Sequence, residues 1–200
     1  MNIEGVKLLK TNIKKYIEES ADTKKLIVED DEILNQIELA GKIIVDAYKN
    51  NKKVLLAGNG GSAADAQHIA GELVSKFLKD REPLNAMALT TNMSVLTAIG
   101  NDYSHEYVFE KQVQAYGSEG DVFIAISTSG NSENIIRAVQ KAKTLKMKVI
   151  GLCGNNKCKM DDICDCLIKV PSSKTPIIQE SQITIGHAIC EIVENELFQD

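Results

Sequence analysis

The 200-residue chain has no apolar run near the length of a membrane span, which excludes a spanning helix, and the charged start Met1-Asn2-Ile3-Glu4 does not read as a signal peptide. It also lacks a basic excess. A formal net charge of −5 argues against non-specific nucleic-acid binding, because a phosphate backbone attracts basic surfaces. That charge does not exclude an anionic small molecule, which a local cluster of amides can hold against the overall field. The paired Cys-x2-Cys spacing of a structural zinc site is missing, although Cys153, Cys158, Cys164 and Cys166 crowd together. Five cysteines without a secretion signal read as reduced thiols of a cytoplasmic protein, some buried and others in a loop. Neither an internal repeat nor an interdomain linker interrupts the chain, so residues 1–200 are expected to form one domain.

What is present is a change of period. Up to residue 50, Val6, Leu9, Ile13 and Tyr16 or Ile17 recur at helical spacing, as do Ile33, Ile37, Ala40, Ile44 and Ala47 or Tyr48, so two helices are predicted. Asp30 and Asp31 stand where a helix N-terminus favours negative charge. From residue 54 onward, apolar runs at 54–57, 86–89, 122–126, 148–152 and 166–170 alternate with helical stretches near 62–78, 94–99, 103–116 and 133–145. Continuous apolar strands alternating with helices predict a doubly wound α/β fold with a five-stranded parallel sheet covered on both faces. A final helix is expected with Thr175 as N-cap and Pro176 at its first position, running to about Phe198. Its apolar residues, Ile178, Ile183, Ile185, Ile189, Ile192 and Val193 among them, cover more than one face and call for a deep groove or a partner subunit.

Two polar loops follow predicted strands. In Gly58-Asn59-Gly60-Gly61-Ser62 the glycines let backbone N–H groups approach an anion, and the following helix N-terminus adds partial positive charge. No Gly-Lys-Ser/Thr follows, so this is not a P-loop, and a plain tight turn explains it as well. In Ser127-Thr128-Ser129-Gly130-Asn131-Ser132, hydroxyls and amides can ring a phosphate without any basic side chain. The plainer account is a loop with Ser132 capping the next helix. Both loops at one edge of one sheet favour a phosphate ester, because open α/β sheets bind ligands there.

His68 and Glu72 are four residues apart on the helix that leaves the first loop, on one face and about 6 Å apart along the axis, so one metal or substrate can meet both. A surface hydrogen bond is the competing explanation. Gln179 and His187 lie eight residues apart on the last helix, about 12 Å of rise, near the limit for sharing one metal, and by spacing alone they are ordinary polar positions. His105, in Asp102-Tyr103-Ser104-His105, reads as an exposed loop residue outside any such group.

Together these strings resemble the sugar isomerase (SIS) domain family, in its phosphoheptose isomerase branch. The matching residues are 58–68, then Glu72, then Ala98-Ile99-Gly100-Asn101-Asp102-Tyr103, then Ser127 to Ser132, and finally Ile178-Gln179-Glu180 and Gly186-His187. The resemblance implies a homotetramer with active sites between subunits, residues 1–50 serving as oligomerisation helices. It implies substrate contacts from Asn59, Gly60, Gly61, Ser62, Glu72, Asn101, Asp102, Ser127, Thr128, Ser129, Ser132 and Gln179. One zinc ion per subunit is implied on His68, Glu72, Gln179 and His187, with Glu72 and His187 as the catalytic pair. The implied reaction turns D-sedoheptulose 7-phosphate into D-glycero-D-manno-heptose 7-phosphate for lipopolysaccharide or capsule. Ile177 stands where arginine is common in relatives, and Asn92 where aspartate often is. A non-catalytic relative that binds the bacterial replication initiator shares the fold and glycine loop but lacks the histidine at the place of His187. A sugar-phosphate sensor would need the phosphate loops but neither metal nor base.

Overall fold

The computed structural model describes the backbone of residues 3–199 and side chains from Leu9 onward, so Val6 of the first predicted stripe lies outside the described side chains. Helix α1 (Ile3–Glu29) leads into α2 (Asp31–Lys49), and Asp30 is the N-cap between them, its carboxylate accepting from the N–H groups of Glu32 and Ile33. Then follow β1 (Val54–Gly58), α3 (Gly61–Val74), β2 (Ala86–Ala88), α4 (Met93–Asp102), a 3-10 turn (His105–Tyr107) and α5 (Val108–Tyr116). The chain continues through β3 (Val122–Ile126), α6 (Glu133–Thr144), β4 (Lys148–Gly154), β5 (Cys166–Val170) and α7 (Thr175–Leu197).

The five strands are parallel in the order β2-β1-β3-β4-β5. Alternation along each strand splits the core in two. Val54, Leu56, Val122, Ile124, Ile126, Ile150 and Leu152 face the layer holding α2, α3 and α7. Leu55, Ala57, Phe123, Ala125, Val149 and Cys153 face α5 and α6. The doubly wound expectation is therefore met. Strand order reverses between β1 and β3, and the two polar loops leave those two strands at their C-terminal ends, the crevice where such sheets bind ligands.

Three expectations shift. Helix α3 ends at Val74 instead of near residue 78, because the N–H groups of Phe77, Leu78 and Lys79 go to the Glu194 carboxylate and not to carbonyls four residues back. The N-cap of α7 is Lys174, so Thr175 is already helical and Pro176 still falls in the first turn. The apolar side of α7 finds its groove within the chain: Ile178, Ile185, Ile189 and Val193 are buried. On α1, by contrast, Leu9, Ile13, Tyr16 and Ile17 are all exposed.

The crowded cysteines separate. Cys166 faces the α2 side and bonds the Gln36 carbonyl, whereas Cys153 and Cys158 lie on the opposite face with their sulfurs 3.9 Å apart. Burial pushes the Cys166 thiol up to about 11 and Cys164 to about 12, which makes them poor nucleophiles and poor ligands.

Candidate active site

The glycine loop is shaped by what surrounds it. A side chain at Gly58 would strike the backbone of Ser62, Gly60 has φ +52°, and a Cβ at Gly61 would stand 2.5 Å from Gln179 Nε2. The chain thereby turns tightly, with Ser62 N–H donating to the Asn59 carbonyl at 3.0 Å. Ser62 itself is buried.

In the second loop Gly130 (φ +62°) supplies the left-handed turn, with Cys158 packed where a side chain would project. Ser132 is the N-cap of α6 in position, but its hydroxyl makes no cap hydrogen bond. It turns inward to Ser127 Oγ at 3.0 Å, and Ser129 Oγ lies 3.5 Å from the same atom. Three hydroxyls thus cluster in front of a helix N-terminus whose first N–H groups the Ser132 side chain leaves free for an anion. Asn101 and Asp102 close α4, both exposed, with Asn101 Nδ2 donating to Asp102 Oδ1 at 2.8 Å.

Helices α3 and α7 run alongside each other, Gly61 beside Gln179 and Ile69 beside Gly186, and a side chain at Gly186 would collide with Ile69. This brings His187 to His68. Their Nε2 atoms are 3.1 Å apart, and Glu72 Oε1 lies 3.0 Å from His68 Nε2. The ligand atoms of His68, Glu72 and His187 all fall within 4.8 Å of one another, the one group of this kind among the described residues. Two imidazole nitrogens and a carboxylate oxygen converging on one point form a donor set suited to a divalent metal such as zinc. Of the four residues expected at the metal, His68, Glu72 and His187 come together, and Gln179 on α7 rests against Gly61 at the start of α3.

Two features escaped the sequence. Asp65 is one turn before His68 on α3; burial pushes its carboxyl up to about 6, partly offset by His68, and its Oδ2 is buried with no hydrogen-bond partner among the described residues. Its spacing from His68 was the available signal. His105 is exposed, as expected, but it lies in a 3-10 turn, and its Nε2 is 3.1 Å from Asn134 Nδ2, which is itself bonded to Asn59. His105 thus stays outside the His68 group, as expected, and is tied to the glycine loop through Asn134. Of the family departures, Ile177 is fully buried and Asn92 caps α4 through the Val95 N–H, as an aspartate would.

Residues 15–154 match the SIS domain family. The chain is 54% identical over 188 residues to the phosphoheptose isomerase of Aneurinibacillus thermoaerophilus, covering 94% of this chain and 95% of that one. It is 54% identical over 190 residues to phosphoheptose isomerase 2 of Campylobacter jejuni, covering 95% and 94%. Among solved structures, the phosphoheptose isomerase of Neisseria gonorrhoeae superposes with a TM-score of 0.88 at 40% identity over 94% of this chain and 99% of that chain.

Proposed function

This chain belongs to the SIS domain family, among its phosphoheptose isomerases, and from that premise we propose that it converts D-sedoheptulose 7-phosphate into D-glycero-D-manno-heptose 7-phosphate, a cytoplasmic step that feeds lipopolysaccharide or capsule. The observation that carries the reading is the convergence of His68, Glu72 and His187 beside two phosphate-type loops at the sheet's switch point. An initiator-binding protein or a sensor has no use for that convergence.

The phosphate is assigned to the hydroxyls of Ser127, Ser129 and Ser132 and to the backbone amides of Gly60 and Gly61 beside Ser62, with Thr128 on the same rim. Neutral donors at a helix N-terminus suit a dianion without a lysine. Asn101 and Asp102 are assigned to the sugar hydroxyls. Going from ketose to aldose, one proton leaves C1, an enediol forms, and a proton is delivered to C2, while the O1 hydroxyl proton leaves and O2 gains one. The Glu72 carboxylate takes the C1 proton and returns it to C2, through the oxygen not turned toward His68. The His187 imidazole carries the proton between O1 and O2. His68, Glu72 and His187, with the Gln179 amide, would hold a zinc ion, which would supply Lewis-acid polarisation of the carbonyl.

Incubation of the purified protein with sedoheptulose 7-phosphate is expected to yield an aldose phosphate. Chelator-treated protein is expected to lose most of that activity and regain it with zinc. No aldose product under any metal supplement would end the proposal.

We assign the exposed Leu9, Ile13, Tyr16 and Ile17 of α1 to the interior of a homotetramer in which neighbouring subunits complete each site. An exposed apolar stripe of this length is costly on a lone chain. Light scattering at micromolar concentration is expected to give four times the chain mass, and Ile13→Glu with Ile17→Glu is expected to lower it. A monomer mass for the unaltered protein would refute the assignment.

A further inference from the structure

Asn134 lies in the first turn of α6, two residues beyond Ser132, and is only 4% exposed. A buried carboxamide must place two N–H groups and one oxygen. Here its Oδ1 accepts from Asn59 Nδ2 at 2.9 Å, and its Nδ2 donates back to Asn59 Oδ1 at 2.9 Å. The same carboxamide also meets His105, whose Nε2 lies 3.1 Å from Asn134 Nδ2.

The positions of the three partners give this small network its meaning. Asn59 is in the glycine loop after β1, Asn134 stands behind the serine loop after β3, and His105 follows Asp102 by three residues. The 3-10 turn carrying His105 is pinned on α6 by Arg137, whose guanidinium lies 4.5 Å from the Tyr107 ring centre and pairs with Glu106 at 3.5 Å and Glu110 at 3.8 Å. All three segments assigned to the sugar phosphate meet on one buried amide.

We infer that Asn134 is a positioning residue that latches the glycine loop, the serine loop and the Asn101–His105 segment in register, with His105 as its third arm. The inference rests on the isomerase reading above. Asn59 gives one N–H and its oxygen to Asn134, which fixes the side chain against α6 at the start of the glycine loop. A latch acts on how well the loops are prearranged for the phosphate, not on proton transfer, and its loss belongs in KM more than in kcat.

The test compares Asn59→Ala, Asn134→Ala, the double variant, His105→Ala and His105→Gln, reading KM and kcat for sedoheptulose 7-phosphate and amide hydrogen exchange of residues 58–62 in the substrate-free protein. Asn134→Ala is expected to raise KM by about tenfold, in line with buried polar groups left unpaired, with kcat within a few-fold. The double variant is expected to be no worse than the poorer single one, since both break one contact. His105→Ala should raise KM a few-fold in the native background and not at all in Asn134→Ala, while His105→Gln, which retains an acceptor, restores it. Exchange at 58–62 is expected to quicken in Asn134→Ala. Additive losses, an unchanged KM, or unchanged exchange would each overturn the latch. If Asn134→Ala does not fold, the surface variants His105→Ala and His105→Gln decide by the same two readouts. If the unaltered protein shows no isomerase activity, the functional reading falls, and loop exchange alone decides the latch.

Discussion

Glu72→Gln is expected to lower kcat by about 10²–10⁴-fold or more, the range general acid–base groups contribute, while the sugar phosphate still binds. Glutamine keeps the shape of the side chain and an oxygen toward His68 Nε2, now 3.0 Å from Glu72 Oε1, but has no basicity with which to take a carbon proton. Because the same substitution weakens one metal ligand, zinc content must be measured beside the rate. A variant that retains zinc and loses turnover assigns the loss to the proton. His187→Ala is expected to cost at least a comparable factor, since it removes both a ligand and the oxygen-proton carrier. His105→Ala, whose ring reaches only Asn134, is expected to leave kcat within a few-fold. Comparable kcat in the unaltered protein and in folded, assembled Glu72 and His187 variants would sink the mechanism.

The strands and the two loops were legible in the sequence because each depends on local signals: continuous apolar runs, glycines at tight turns, hydroxyls in a row. His68 and Glu72 were legible as a pair because helical spacing joins them. His187 joined them through the family resemblance and not through spacing, since its approach to His68 depends on Gly186 letting α7 close on Ile69, a contact between residues 117 positions apart in the chain. The partner of His105 was hidden likewise, since Asn134 sits on another helix. The early end of α3 was hidden for a related reason. Phe77 and Leu78 continue an apolar pattern, yet a carboxylate more than a hundred residues later captures their amides. Periodicity reports burial and says nothing of such a distant acceptor.

That carboxylate carries the largest expected effect on stability. Glu194 is 1% exposed and accepts from the N–H groups of Phe77 at 3.2 Å, Leu78 at 2.8 Å and Lys79 at 3.0 Å, and from Arg81 Nε at 3.0 Å. Arg81 in turn donates to the carbonyls of Leu73 at 2.9 Å and Glu72 at 2.8 Å in the last turn of α3, where the Leu73 carbonyl also accepts from the Leu84 N–H at 3.1 Å. The pair therefore staples α7 to the end of the helix that carries His68 and Glu72. Removing one partner leaves a buried charge uncompensated, so Glu194→Ala is expected to cost about 3–5 kcal/mol. For a domain of this size that lowers Tm by roughly 10 °C. Replacing both charges with methionine often restores stability at buried ion pairs, but here it is expected not to, because the backbone N–H groups of Phe77 and Leu78 lose their acceptor. Burial alone would raise the Glu194 carboxyl, yet its four donors hold it below the ordinary glutamate value of 4.5. A group so lowered stabilises the fold above that value, and the contribution is lost as pH falls through its folded pKa. Unfolding free energy measured by denaturant is thus expected to drop more steeply below about pH 4.5 in the unaltered protein than in Glu194→Gln. Equal acid slopes, or a Glu194→Ala variant within 1 kcal/mol of the unaltered protein, would show that the staple holds nothing.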